Sequence, residues 1–111
     1  GTCIRDYIHV EDVAKGHYAA IERLNKEREY FRNINIGTGI GTSVLDLLFT
    51  FQKVNNLKIN YEFAKRREGD CSILVADNKL ALSELDWYPS RAIEDMCLDS
   101  YRWAVNNQKE F

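Results

Sequence analysis

Between Asp12 and Leu24, the positions Val13, Ala14, His17, Ala20, Ile21 and Leu24 recur at the spacing of one helix face, with Asp12 where an N-cap belongs. Before it, residues 3–10 alternate and carry Ile4, Tyr7, Ile8 and Val10, which predicts a short strand or extended segment. The charged residues 25–29 have no core face and end the helix in a solvated connection. Residues 31–36 predict a second strand, stopped by the run Gly37-Thr38-Gly39-Ile40-Gly41-Thr42-Ser43. Helical spacing then resumes at Val44, Leu47, Leu48 and Phe51. Strict alternation over residues 59–63 predicts another strand, and residues 71–76 a further extended piece. Asp77 is expected to cap a short helix reaching Leu85, and Ser90 to cap a last one reaching about Asn106, with Pro89 in the turn between them. The pattern is α/β, short strands alternating with helices, without internal repeat or low-complexity tract.

Composition narrows this picture. A chain of 111 residues suits one compact domain, and 45% hydrophobic with 29% charged residues is ordinary for a globular protein. A formal net charge of −2 argues against nucleic acid as a partner, because backbone binding needs a broad basic face. No apolar run reaches membrane length and no secretory pattern opens the chain, so no membrane partner and a cytoplasmic location are expected. Cys3, Cys71 and Cys97 are odd in number and widely spaced, which fits reduced thiols rather than a disulfide framework or zinc site. The single methionine is Met96, so either an initiator before Gly1 was removed or the chain is part of a longer product.

One local charge cluster stands out. Lys65-Arg66-Arg67-Glu68-Gly69-Asp70 sets three cations before a turn glycine and a carboxylate. Guanidinium groups match phosphate oxygens and a carboxylate accepts from hydroxyls, so the run suits a phosphate joined to a sugar; a solvated charged turn is the alternative. The glycines at 37, 39 and 41 are a poor match to a dinucleotide-binding fingerprint and read better as a tight turn with Ser43 capping the next helix. His9 and His17 lack an evident partner for acid–base work, and His17 reads as a hydrogen-bonded or partly buried side chain. Trp87 and Trp103, with Leu85 and Tyr101, read as packing for the last two helices. No nucleophile elbow, metal motif or phosphate-cradling Gly-Lys-Ser loop is present.

Taken together, several segments resemble the extended short-chain dehydrogenase/reductases: Arg5-Asp6-Tyr7-Ile8-His9-Val10 with Asp12, then Asn35-Ile36-Gly37-Thr38-Gly39 onward, Arg66-Arg67-Glu68-Gly69-Asp70, Ala76-Asp77, and Leu85 with Trp87. They occur in the family's order across essentially the whole chain. The Arg-Arg-Glu-Gly-Asp form most resembles the branch that interconverts UDP-glucose and UDP-galactose through a 4-keto sugar, using NAD. The resemblance implies that Arg5 and Arg67 contact the diphosphate of a UDP-sugar, that Asp70 bonds a ribose hydroxyl, and that Arg66 pairs structurally. It also implies that Leu74 occupies a pocket-wall position where a residue smaller than tyrosine leaves room for N-acetylhexosamines.

The family's glycine-rich NAD loop and its catalytic Tyr-x-x-x-Lys are missing; Tyr61 and Lys65 have the spacing but fall across a predicted strand and turn. The resemblance therefore implies the C-terminal part of such an enzyme, without the main nucleotide-binding sheet and inactive alone. Residues 1–36 would dock on a missing N-terminal nucleotide-binding domain, residues 37–111 would form the substrate-binding domain, and the complete enzyme would be a homodimer. A docking face implies exposed apolar residues such as Val13, Ile21, Ile34 and Ile36. A non-catalytic nucleotide-sugar-binding or interaction module is the alternative.

Overall fold

The computed structural model describes residues 2–107. In chain order it contains β1 (Ile4–Arg5), α1 (Val10–Lys26), β2 (Thr42–Ser43), α2 (Val44–Asn55), β3 (Ile73–Leu74), α3 (Lys79–Leu85) and α4 (Ile93–Asn106). The three short strands form one sheet in the order β2-β1-β3. Ile4 pairs with Ser43 antiparallel and with Ile73 parallel, so Arg5 lies between Thr42 and Leu74.

Local chemistry explains several of these elements. Ser43 caps α2 by accepting from the Asp46 amide at 3.0 Å, while its hydroxyl donates to the Asp46 carboxylate. The α2 helix ends on Asn56 in the left-handed region, whose amide reaches the Lys53 carbonyl. The α1 helix begins earlier than its apolar spacing suggests, with His9 rather than Asp12 as its cap: His9 Nδ1 accepts from the Glu11 amide at 3.1 Å.

Asp12 serves a longer-range purpose. It is fully buried and accepts from the Ser90 amide (2.9 Å), the Ser90 hydroxyl (2.8 Å) and the Arg91 amide (2.9 Å). Ser90 thus ties the connection before α4 to α1 and does not cap α4, whose N-cap is Ala92 with its amide bonded to Asp95. Asp77 accepts from the Lys79 amide, but the N-cap of α3 is Asn78.

Two predicted strands do not form. Residues 31–36 and 59–63 run without a ladder, because the described chain offers neither of them a partner strand. Tyr61 instead sits edge-on between Phe49 (6.1 Å between centroids) and Phe63 (5.7 Å).

Helices α2 and α4 pack together, with Phe51 edge-on to Tyr101 and Asn55 donating to the Cys97 carbonyl at 3.1 Å. Helix α1 packs on α3, where Gly16 admits Ile36 and Trp87 closely. The indole of Trp87 donates to the Asp12 carbonyl at 2.9 Å. Trp87 is core as expected, whereas Trp103 is 59% exposed. Among the described residues only Ala81, Trp87 and Cys97 are fully buried apolar side chains.

The accessible surface of 8831 Å² exceeds the roughly 6,300 Å² of a compact monomer of this mass. The radius of gyration, 16.9 Å, likewise exceeds the roughly 13 Å of a compact chain of this length. Much of the excess is apolar: Tyr18, Ile21, Leu24 and Phe31 are exposed along α1 and just after it. Val13, Ile34 and Ile36 are half-buried. No described helix is long and apolar enough to cross a membrane.

Candidate functional site

A tight turn builds the site. The Arg67 carbonyl accepts from the Asp70 amide at 3.3 Å, and Gly69, third in the turn, has φ of +78°. A Cβ on Gly69 would meet nothing within 4 Å, so the glycine answers to backbone conformation and not to space. The turn brings Asp70 against the end of β1, where its carboxylate bonds the Arg5 guanidinium. The other Arg5 nitrogen donates to the Ile4 carbonyl at 2.8 Å.

Around this pair lies an open cleft of about 500 Å³, lined by Thr2, Cys3, Arg5, Val44 and residues 62–67 with Asp70. Four cations, Arg5, Lys65, Arg66 and Arg67, face two carboxylates, Glu62 and Asp70. Such a surplus suits an anion with more than one charged oxygen. Cys3 joins the wall through a contact to the second Asp70 oxygen at 3.3 Å, and Arg66 reaches the Cys3 sulfur at 3.8 Å.

Of the four residues expected at the site, Arg5, Arg67 and Asp70 converge on this cleft. Leu74 does not line it. It is 62% exposed, pairs with Arg5 across the β1–β3 ladder, and borders a second open cleft with Asp6, Ile36 and Ala76. Arg5 lines both clefts, so Leu74 sits beside one of the four cations but in the wall of the second cleft. Sequence reasoning did not place Phe63, Val44 and Cys3 in the wall. The one signal for Phe63 was the alternation that sets Ile59, Tyr61 and Phe63 on a common face.

The glycine run serves packing. Asp6 accepts from the Thr38 hydroxyl (2.5 Å) and from the amides of Thr38 (2.9 Å), Gly39 (2.9 Å) and Ala76 (3.2 Å). Burial by itself would raise the Asp6 carboxyl, but these four donors outweigh it and hold the group below the usual carboxylate range. A Cβ at Gly37 would stand 2.4 Å from the Ala76 methyl, and one at Gly41 2.6 Å from Ile4 Cγ2. With the Thr38 and Gly39 amides already given to a protein carboxylate, the loop does not fit the pyrophosphate of NAD.

The histidines are structural in this arrangement. His9, 5% exposed, does have a partner: with Nδ1 accepting from Glu11, the ring proton sits on Nε2, which donates to Asp99 at 3.2 Å. His17 is exposed and bonds the Val13 carbonyl at 2.8 Å. Tyr61 and Lys65 lie on non-helical chain, so four-residue spacing does not put them on one face. All three cysteines are free, with Cys97 buried, and no cluster of metal-ligating side chains occurs among the described residues.

The whole length of the chain resembles known proteins. Residues 1–37 match the model of the NAD dependent epimerase/dehydratase family. The chain is 45% identical over 111 residues to the UDP-glucose 4-epimerase of Bos taurus and 44% identical over 108 residues to that of Drosophila melanogaster. These alignments cover 100% and 96% of the chain but only 32% and 31% of the relatives. Among solved structures, a UDP-glucose 4-epimerase from Stenotrophomonas maltophila, with bound NAD and formylated UDP-arabinopyranose, superposes with a TM-score of 0.93 at 36% identity. That match covers 99% of this chain and 32% of the other. The enzyme from Bifidobacterium longum, in complex with NAD+ and UDP, gives 0.85 at 36% identity over the same shares. The chain thus spans about a third of the length of the relatives it matches. Over its whole length the chain is thus similar to about a third of UDP-glucose 4-epimerases, and its fold is that of the corresponding part of those extended short-chain dehydrogenases/reductases.

Proposed function

We propose that the chain is the UDP-sugar-holding, C-terminal part of an NAD-dependent UDP-hexose 4-epimerase that interconverts UDP-glucose and UDP-galactose, and that it is inactive alone. The observation that supports this reading is the convergence of Arg5 with Arg67 and Asp70 on one open cationic cleft, although more than 60 residues separate Arg5 from the other two in sequence. Arg5 and Arg67 bind the diphosphate as charged donors, and Asp70 accepts from a ribose hydroxyl. Binding energy gathered there, away from the sugar carbon that reacts, keeps the sugar from leaving between half-reactions. NAD and the catalytic base belong to chain outside these residues, since the loop at 37–41 spends its amides on Asp6. Leu74, beside Arg5, leaves room on the hexose side for an N-acetyl group.

The domain division follows from the same reading. The exposed apolar side chains of α1 and residues 31–36, which pair with no described strand, form a face for the nucleotide-binding domain, and residues 37–111 form the substrate part. The complete enzyme is cytoplasmic and a homodimer. Isothermal calorimetry of the 111-residue chain with UDP-glucose tests the anchor. Binding that falls at least tenfold in Arg67→Ala is expected, the size of one lost charge-assisted bond. No binding by the unaltered chain, or equal binding by both proteins, refutes it. A non-catalytic nucleotide-sugar-binding module would bind equally well, and is favoured if the chain encoded before Gly1 contains no Tyr-x-x-x-Lys.

A further inference from the structure

The two ends of the proposed anchor are bonded to each other. In the free protein the Asp70 carboxylate holds one Arg5 terminal nitrogen, while the other is bound to the Ile4 carbonyl at 2.8 Å. One cation of the cleft is therefore neutralised before any ligand arrives, and a carboxylate lines the cleft beside it. Neither group is deeply buried, with side chains 26% and 34% exposed, so the pair is open to exchange with a ligand.

We propose that Asp70 is the selectivity gate of this cleft: it keeps Arg5 from bare phosphate anions and yields it to ligands that offer the carboxylate a hydroxyl in exchange. The inference rests on reading the cleft as a nucleoside-diphosphate anchor. A bare diphosphate that takes Arg5 leaves Asp70 without its guanidinium partner and close to like charge, a cost its attraction to Arg66 and Arg67 must first offset. A nucleoside diphosphate carries a ribose whose hydroxyl donates to Asp70, so the exchange leaves no acceptor stranded. The Cys3 thiol beside the second Asp70 oxygen and the Asp70 amide bond to Arg67 hold the carboxylate in place during the exchange. Asp70 thus lowers the affinity for inorganic phosphates while raising that for the nucleotide, opposite effects from one side chain.

Calorimetric titration of the 111-residue chain with UDP and, separately, inorganic pyrophosphate tests this, with melting curves to verify folding. The unaltered chain is expected to prefer UDP. Asp70→Asn, which keeps the shape and removes the charge, is expected to bind pyrophosphate about fivefold tighter, the size of an exposed ion pair. Its preference for UDP should fall about tenfold or more. In Arg5→Ala/Asp70→Asn the gain for pyrophosphate should vanish, because the gain is the release of Arg5. Asp70→Asn that leaves both affinities unchanged, or weakens both equally, overturns the gate while leaving the anchor standing. So does a gain that survives loss of Arg5. If the unaltered chain binds neither ligand, the anchor and the gate fail together.

Discussion

Replacing Asp12 tests whether one buried carboxylate joins the two halves of this fold. The side chain is fully buried and accepts three hydrogen bonds, at 2.8 and 2.9 Å, from Ser90 and Arg91. Bonds to a charged acceptor contribute about 1.5–3 kcal/mol each, but Ser90 is exposed and Arg91 half-buried, so water recovers part of what Asp12→Ala removes and the net loss is about 3 kcal/mol. Asp12→Asn keeps one acceptor oxygen and should lose about half of that. For a domain of this size 3 kcal/mol lowers Tm by about 12 °C.

The assay is urea unfolding followed by the fluorescence of Trp87, with Trp103 replaced by Phe in every protein compared. Its indole is anchored to the Asp12 backbone carbonyl, so the reporter survives the substitution. Burial pushes the Asp12 carboxyl up, but the Arg91 and Ser90 donors and Lys15 prevail and hold it below its ordinary value of 3.8. A depressed folded-state value means the stabilisation is fully present above about pH 4 and is lost as pH falls through the folded value. The gap between wild type and Asp12→Asn should therefore narrow in acid. A gap below about 0.5 kcal/mol at pH 7, or one undiminished at pH 2, refutes the reasoning.

Three further outcomes are expected. Gly37→Ala should cost about 2 kcal/mol in urea unfolding, because its methyl would stand 2.4 Å from the Ala76 methyl and 2.8 Å from an Asp6 carboxylate oxygen, and a methyl fixed on its backbone has no rotamer by which to yield. Gly39→Ala, with only the Asn78 side chain at 3.6 Å but φ of +75°, should lose about 1 kcal/mol from backbone strain alone. The exposed α1 face should drive self-association, so the isolated chain is expected to show a concentration-dependent mass by light scattering that Ile21→Glu reduces. A monodisperse monomer with a cooperative melt would sink that expectation.

Local signals in the sequence hold where a local contact satisfies them. Ser43 with Asp46 three residues on is a complete cap within one turn, and α2 begins where the sequence placed it. Asp12 and Ser90 carry the same cap chemistry, yet each bonds the other, because a side-chain acceptor serves an amide 78 residues away as readily as one three residues away. Residues 31–36 and 59–63 alternate like strands, but pairing needs a second strand and periodicity is silent on whether one is present. The cation cleft had no local signature linking Arg5 to residues 67–70. Only the resemblance joined them, and the Arg5–Asp70 bond was beyond what either source foretold. The partner of His9 has no local signature for the same reason, since Asp99 lies on the last helix.

The small sheet has a kinetic consequence. Its central strand carries Arg5, and its register joins residue 4 to residues 43 and 73, so both pairings close long stretches of chain for only two residues of ladder each. Helices α1, α2 and α4 need only neighbours along the chain to begin, whereas the sheet must await loop closures whose entropy is spent before any bond is gained. The open cleft beside it is thus expected to form last and to come apart first. Amide hydrogen exchange at Ile4 and Val44 should outpace exchange in the middle of α4.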